Sequence, residues 1–323
     1  MAIKGKKIFI SGGAGFIGSH LCERLVEANK LVIYDNGHRN ALKHTELLDH
    51  PNVTFVQGDV LDAQRVSTFM SGCDVVIHLA AIAGIDSVVK KPIVTMRVNL
   101  LGTYHVLESV VNAGNRVERF IDFSTSEVYG PHVYKADEDG LTTQGKVGEM
   151  RWTYSVSKLA AEHWTHCYWQ EYGLPTVIIR PFNVYGPRQV GEGALRKFVI
   201  AAIKNEDITI FGDGTQIRAW CYIDDFVDGV LLALEKEEAI GNVLNIGDPK
   251  QTATILGLAE RVVRITNSKS RIVFKEQSMP DVQVRVPSIR KAQELLGYEP
   301  QVSLDEGIRR TATWYRQMSG GWA

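Results

Sequence analysis

A short apolar run, Lys7–Ser11, leads at once into Gly12-Gly13-Ala14-Gly15-Phe16-Ile17-Gly18, and helical periodicity follows over Ile17–Ala28. Glycines at 12, 15 and 18, between a strand and a helix, constrain the fold more than any other feature of the chain. Gly12 can make the tight turn out of the strand. Gly15 lets the backbone approach a pyrophosphate, and Gly18 lets helix and strand pack closely. The helix opening at Phe16 and Ile17 offers free N–H groups and the positive end of its dipole to phosphate. Asp35 ends the next run, Leu31–Asp35, 20 residues beyond Gly15. A carboxylate there can accept hydrogen bonds from both adenosine ribose hydroxyls and would repel a 2′-phosphate, so NAD is expected over NADP. Asn36, and Asp59 with Val60 just after the third run, fall where they can border the adenosine. Asp59 serves equally well as a turn residue.

The runs Val53–Gln57, Val75–Ala80, Phe120–Ser124 and Thr176–Arg180 repeat the theme, with helical segments between them. Continuous Val/Ile/Leu runs mark strands buried on both faces, and strands separated by helices mean a parallel sheet. The expected fold is α/β: a Rossmann-like doubly wound parallel sheet with a smaller α/β C-terminal substrate-binding domain. Residues 1–181 form the dinucleotide-binding domain in this reading, with segments near 219–247 returning to it, and 182–323 form the second domain. In the less regular second half, Ile208–Phe211, Val243–Ile246 and Ile272–Phe274 look like strands. Asp224–Glu235 and Thr254–Ile265 look helical.

Composition narrows the partners. With 36 basic and 37 acidic side chains, the formal charge of −1 argues against nucleic-acid or polybasic membrane binding as the main activity. Cys22, Cys73, Cys167 and Cys221 are scattered, with no metal-ligand spacing, and no metal is expected. A cytoplasmic protein is expected, since Met1–Lys7 runs straight into the first strand and no apolar stretch is long enough to span a bilayer.

Tyr154 and Lys158 stand four residues apart, on one face of a helix. A nearby ammonium favours the phenolate, so Lys158 is expected to lower the tyrosine pKa towards the working range. Such a tyrosine can take a proton from an alcohol while NAD oxidises the same carbon. Ser124-Thr125-Ser126-Glu127 falls at the carboxyl end of the fifth strand, where doubly wound folds hold ligands. Thr125 and Ser126 can hydrogen-bond a reacting hydroxyl, and Glu127 can carry a second proton.

The strings SGGAGFIGSH, His78-Leu79-Ala80-Ala81, STSEVYG, YSVSK and RPFNVYGPR, in this order, resemble the extended short-chain dehydrogenase/reductase superfamily over about Lys6 to Tyr315. The resemblance implies a nucleotide-sugar-modifying enzyme that keeps NAD bound, with Leu79, Ala80 and Ala81 beside the cofactor. Ser126-Glu127 and the stretch Arg151-Trp152-Thr153-Tyr154-Ser155-Val156-Ser157-Lys158 look like the UDP-glucuronic acid decarboxylases. So does Arg285-Val286-Pro287-Ser288-Ile289-Arg290, in which Arg285 falls where that family places an arginine by the sugar carboxylate. One loop departs: Ile82-Ala83-Gly84-Ile85-Asp86-Ser87 lacks the decarboxylases' Pro and Tyr and looks more like epimerases, with Ser87 as a substrate contact. Asn183 and Arg218 resemble the family's diphosphate ligands, and Thr209 presents its strand to the uracil of a UDP-sugar. The family pairs two helices per subunit in a homodimer, to which Trp164, Tyr168 and Trp169 would contribute. The leading expectation is decarboxylation of UDP-glucuronate by C4 oxidation. A nucleotide-sugar 4,6-dehydratase or 4-epimerase is the alternative, and a catalytically silent NAD-binding regulator is the reading from another class.

Overall fold

A computed structural model describes residues 3–112, 117–277 and 281–319. Its centre is a seven-stranded sheet. The spatial order is Val243–Ile246, Thr176–Pro181, Arg119–Phe123, Val75–His78, Lys7–Ser11, Lys30–Asp35 and Val53–Gln57. Every neighbouring pair is parallel. Parallel pairing demands crossovers, and the helices Phe16–Leu25, Ala63–Met70, Gly102–Asn112, Thr153–Tyr172 and Ile223–Glu235 lie between the strands in sequence. Helices on both faces explain why the strands are continuous apolar runs: Ile8, Phe9, Ile10, Val76, Ile77, Phe120 and Ile121 have no exposed surface. Chain order reverses between Lys7–Ser11 and Val75–His78, and the crevice at the carboxyl ends of those strands is where such sheets bind ligands.

The 20-residue helix Thr153–Tyr172 is tied to the sheet at its middle and stopped at its C-terminus. Its Glu162 makes a buried bidentate pair with Arg180 of the Thr176–Pro181 strand at 2.7 and 2.9 Å, and Gly173, left-handed at φ 66°, stops it.

A second sheet runs Thr252–Thr254, Ile217–Ala219, Val284–Pro287, His132–Ala136. All four strands are absent from the sequence reading: Thr252–Thr254 runs into the helix read from Thr254, and the other three are His132–Ala136, Ile217–Ala219 and Val284–Pro287. Those three are short, and each carries a basic residue (Lys135, Arg218 or Arg285) that interrupts the apolar pattern. A separate ladder joins Ile208–Phe211 to Ile272–Lys275. The chain crosses between these two sheets five times. His132–Ala136 pairs with Val284–Pro287, and Val243–Ile246 completes the edge of the large sheet beside Thr176–Pro181.

Candidate active site

The glycine turn forms a cradle. Gly12, at φ +73°, sits so tightly on the Leu79-Ala80 backbone that a Cβ would lie 2.6 Å from the Ala80 nitrogen. A Cβ on Gly18 would lie 2.6 Å from the Gly13 Cα, so the helix packs closely on the glycine turn itself. The helix Phe16–Leu25 has Gly15 at its N-cap and no side-chain cap, leaving the N–H groups at Phe16 and Ile17 for an external acceptor. Asp35 closes the far side: its carboxylate accepts from the Ala14 N–H at 3.1 Å and the Gly37 N–H at 2.8 Å. Burial pushes Asp35 above the usual carboxylate range, against those two hydrogen bonds. Asn36 turns its side chain onto the His38 N–H, and Asp59 accepts from the Leu61 N–H. Val60 is buried, with its carbonyl held by His105. Leu79, Ala80 and Ala81 follow the Val75–His78 strand along the rim.

The Arg119–Phe123 strand leads into a one-turn helix, Ser126–Tyr129, capped by Thr125, whose Oγ1 accepts from the Glu127 N–H at 3.1 Å. Thr125 and Ser126 are buried. The Thr125 hydroxyl also faces the phenol of Tyr154, which opens the Thr153–Tyr172 helix. Lys158, one turn on, is buried with its Nζ 3.5 Å from Oδ1 of Asp122, itself without exposed surface. This corrects the expected tyrosine chemistry. Burial and then the charge of Glu127 push the Tyr154 phenol well above its ordinary value, while Thr125 and Arg285 pull the other way. The Lys158 ammonium already has a counter-ion, so helix spacing alone misjudges the phenol. His78 packs between Ser11 (2.6 Å) and Thr103 (3.0 Å), and burial holds its imidazole down at about 4.

Glu127 lies between two guanidinium groups. Oε2 is 3.6 Å from Arg151 and Oε1 is 3.6 Å from Arg285. Asp281 bridges Arg151 at 2.9 Å and Arg218 at 3.3 Å. Arg218 and Arg285 are register neighbours on adjacent strands. Three buried arginines therefore face two carboxylates, leaving one excess positive charge beside Tyr154. Burial pulls Arg218 down to about 10 and pulls Arg285 down as well. Burial pushes Asp281 up, but Arg218 and Arg151 outweigh it and hold the carboxyl below its usual range. The buried Nε–H of Arg285 has no hydrogen-bond partner among the described residues. A site with surplus buried cation and a spare donor suits an anionic ligand.

The remaining candidates have partners of their own. Ser87 donates to Glu192 at 2.8 Å and accepts from Arg39 at 3.0 Å. Asn183, left-handed at φ 38°, donates to the Ala219 carbonyl at 2.7 Å. Thr209 lies opposite Val273 in the two-stranded ladder. Among the described residues no three His, Cys, Asp or Glu side chains group as metal ligands.

Residues 8–247 match the model of the NAD dependent epimerase/dehydratase family. The chain belongs to that family. It is an enzyme, and its cofactor is NAD. The chain is 33% identical to a UDP-N-acetyl-alpha-D-glucosaminuronate decarboxylase of Bacillus cytotoxicus, over 97% of this chain and 98% of the relative. It is 34% identical to UDP-glucuronic acid decarboxylase 5 of Arabidopsis thaliana, over 94% and 87%. Among solved structures it resembles a UDP-glucuronic acid 4-epimerase from Bacillus cereus in complex with UDP-glucuronic acid and NAD. That match has a TM-score of 0.88 and 34% identity, covering 97% of this chain and 99% of the other.

Sequence reasoning gave no role to Arg151, Asp281 or Asp122. Arg151 stands within a quoted motif, but its Asp281 partner is 130 residues away. Asp122 was visible as the acidic residue inside the apolar run Arg-Phe-Ile-Asp-Phe.

Proposed function

We propose that this protein is an NAD-dependent decarboxylase of a UDP-linked uronic acid, with UDP-glucuronate the first substrate to test. The observation that carries the reading is Glu127 flanked by buried Arg151 and Arg285 next to Tyr154. The resemblance to two uronate decarboxylases supports it.

Gly12, Gly15, Phe16, Ile17 and Gly18 would hold the pyrophosphate. Asp35 and Asn36, with Asp59 and Val60, would border the adenosine, and Leu79, Ala80, Ala81, Tyr154 and Lys158 the rest of the cofactor. Bound there, NAD supplies the oxidant for C4 of the sugar. Tyr154 takes the C4 hydroxyl proton, with Thr125 holding the oxygen. The sugar is then a β-keto acid; the C5–carboxylate bond breaks, carbon dioxide leaves, and the electron pair stays as an enolate. Tyr154 and Thr125 stabilise the charge gained at the C4 oxygen. Arg285 orients the carboxylate beforehand, and Glu127 with Ser126 delivers the proton to C5. Arg218 and Asn183 grip the diphosphate, Thr209 offers backbone groups to uracil, and Ser87 borders the sugar.

In this reading 1–181, with 219–247, form the cofactor half and the rest of 182–323 the sugar half. The enzyme works as a cytoplasmic homodimer. Exposed Leu101, Tyr104, Val156 and Tyr172, on or beside the two helices that would meet, support the pairing, and four cysteines that form no disulfide fit a reducing compartment. Tyr168 does not join that face, because it is buried against Glu108.

A 4-epimerase or 4,6-dehydratase is the second reading, favoured by the Ile82–Ser87 loop and the likeness to an epimerase structure. A silent regulator would have no use for a threonine–tyrosine pair beside buried arginines. The test is to incubate purified protein with UDP-glucuronate, UDP-N-acetylglucosaminuronate and UDP-glucose and weigh the products. Loss of carbon dioxide supports the proposal. Loss of water from UDP-glucose, or an isomer of unchanged mass, overturns it.

A further inference from the structure

Behind the glycine turn three polar side chains cross the apolar sheet in register: Ser11, His78 and Asp122, none with exposed surface. Ser11 and His78 are mutually satisfied. Thr103 Oγ1 donates to the Asn99 carbonyl at 2.8 Å, so it accepts from His78 Nε2, and Nδ1 accepts from Ser11. That imidazole is neutral and offers Asp122 no compensating charge. Asp122 is only half satisfied. Its Oδ2 accepts from Thr165 at 3.1 Å, while the buried Oδ1 has no hydrogen bond among the described residues and faces the Lys158 ammonium at 3.5 Å. A carboxylate in the middle of a parallel sheet costs stability unless a cation faces it.

We propose that Asp122 is a positioning residue for Lys158, holding its ammonium in the buried strand–helix interface and offsetting the positive field that Lys158 casts on Tyr154. Asp122 thereby sets the pH at which Tyr154 can accept a proton. The charged groups acting on the phenol are Glu127 from the turn, Arg285 from the second sheet and Asp122 from the strand, with Lys158 one turn along its own helix and paired to Asp122. Arg151 and Asp281 adjoin Glu127, and His78 faces Asp122 from the next strand. Removing the carboxylate leaves Lys158 uncompensated, which favours the phenolate. The inference rests on Tyr154 being the proton-transfer group.

The experiment uses NAD-loaded full-length protein. Tyrosinate absorbance is titrated in wild type and Asp122→Asn, each minus the same protein carrying Tyr154→Phe, so that only residue 154 is read. The pH profile of turnover on the substrate found above is recorded in parallel. In Asp122→Asn, Tyr154 should ionise about one pH unit lower, a roughly tenfold gain in phenolate at fixed pH, and the acid limb of turnover should move with it. Thr165→Val, which keeps the charge and loses one hydrogen bond, should leave both within about 0.3 unit. If Asp122→Asn does not fold, Asp122→Ser, a smaller neutral replacement, carries the same expectation. An unchanged ionisation in the folded neutral variant, with turnover falling equally at every pH, would overturn the proposal and make Asp122 merely structural. If Tyr154→Phe itself keeps near-normal turnover, the underlying reading of Tyr154 fails, and this inference with it.

Discussion

Replacing Arg285 with alanine separates a uronate enzyme from one that handles neutral sugars. The side chain is buried, 3.6 Å from Glu127, and it draws the Tyr154 phenol downwards. Its loss should raise that phenol further and slow alcohol oxidation for any substrate. That shared loss cancels when two substrates are compared in the same variant. A uronate loses, in addition, its charge-assisted hydrogen bonds to the guanidinium. Such bonds are worth roughly 1.5–3 kcal/mol, or about 10- to 150-fold with RT near 0.59 kcal/mol. The measurement is kcat/KM for NADH formation and carbon dioxide release with UDP-glucuronate and UDP-glucose, in wild type and Arg285→Ala. Arg285→Lys is a control that keeps charge without the planar fork and should recover only part of the loss. Equal losses on both substrates would refute the reasoning, leave Arg285 a diphosphate ligand, and favour the epimerase or dehydratase reading.

Tyr154→Phe removes the phenol and keeps the ring; folding and NAD retention should survive while turnover falls roughly 10²- to 10⁴-fold, and near-normal rates would remove Tyr154 from the reaction. Asp35→Ala should weaken NAD far more than NADP, narrowing a preference that titration of stripped wild-type protein would show first; equal wild-type affinities would end the role given to Asp35. His20 and His78 are both held down at about 4 by burial, from an ordinary 6.5. Each is neutral when folded yet protonates when unfolded, so its stabilising effect is complete above pH 6.5 and lost as pH falls towards 4. At full extent, below pH 4, that is about 3 kcal/mol per histidine, of which about 2 kcal/mol is lost between pH 7 and 5 and read as a fall in urea midpoint. A flat midpoint over that range would contradict the burial of both rings.

The large sheet is legible because doubly covered parallel strands must be uninterrupted apolar runs, and Lys7–Ser11, Val53–Gln57 and Val243–Ile246 emerge with the bounds read from sequence. The second sheet is hidden by the feature that makes it useful: Arg218 and Arg285 break the pattern of their own strands. The glycine turn and the Tyr154–Lys158 spacing are local, so they show in the sequence. The acidity of Tyr154 is not local. It depends on burial and on Glu127, which reaches the phenol only once the Arg119–Phe123 strand and the Thr153–Tyr172 helix pack together. Arg151 escaped notice for the same reason, since its meaning comes from Asp281 and Glu127 across the fold.

The strand Val243–Ile246, which closes one edge of the large sheet, has a consequence for how the protein is made. A nascent chain that has reached Pro181 carries six of the seven strands, but the backbone edge of Thr176–Pro181 has no mate until Ile246 emerges. At roughly 5–20 residues per second, the 65 residues from Phe182 to Ile246 keep that edge open for about 3–13 seconds. An unpaired, apolar, flat strand is a template for another chain. A fragment ending at Pro181 should therefore aggregate, and one ending after the Val243–Ile246 strand should be the shortest N-terminal piece to stay in solution. Any heterologous partner grafted onto the cofactor half must bring a replacement for that strand.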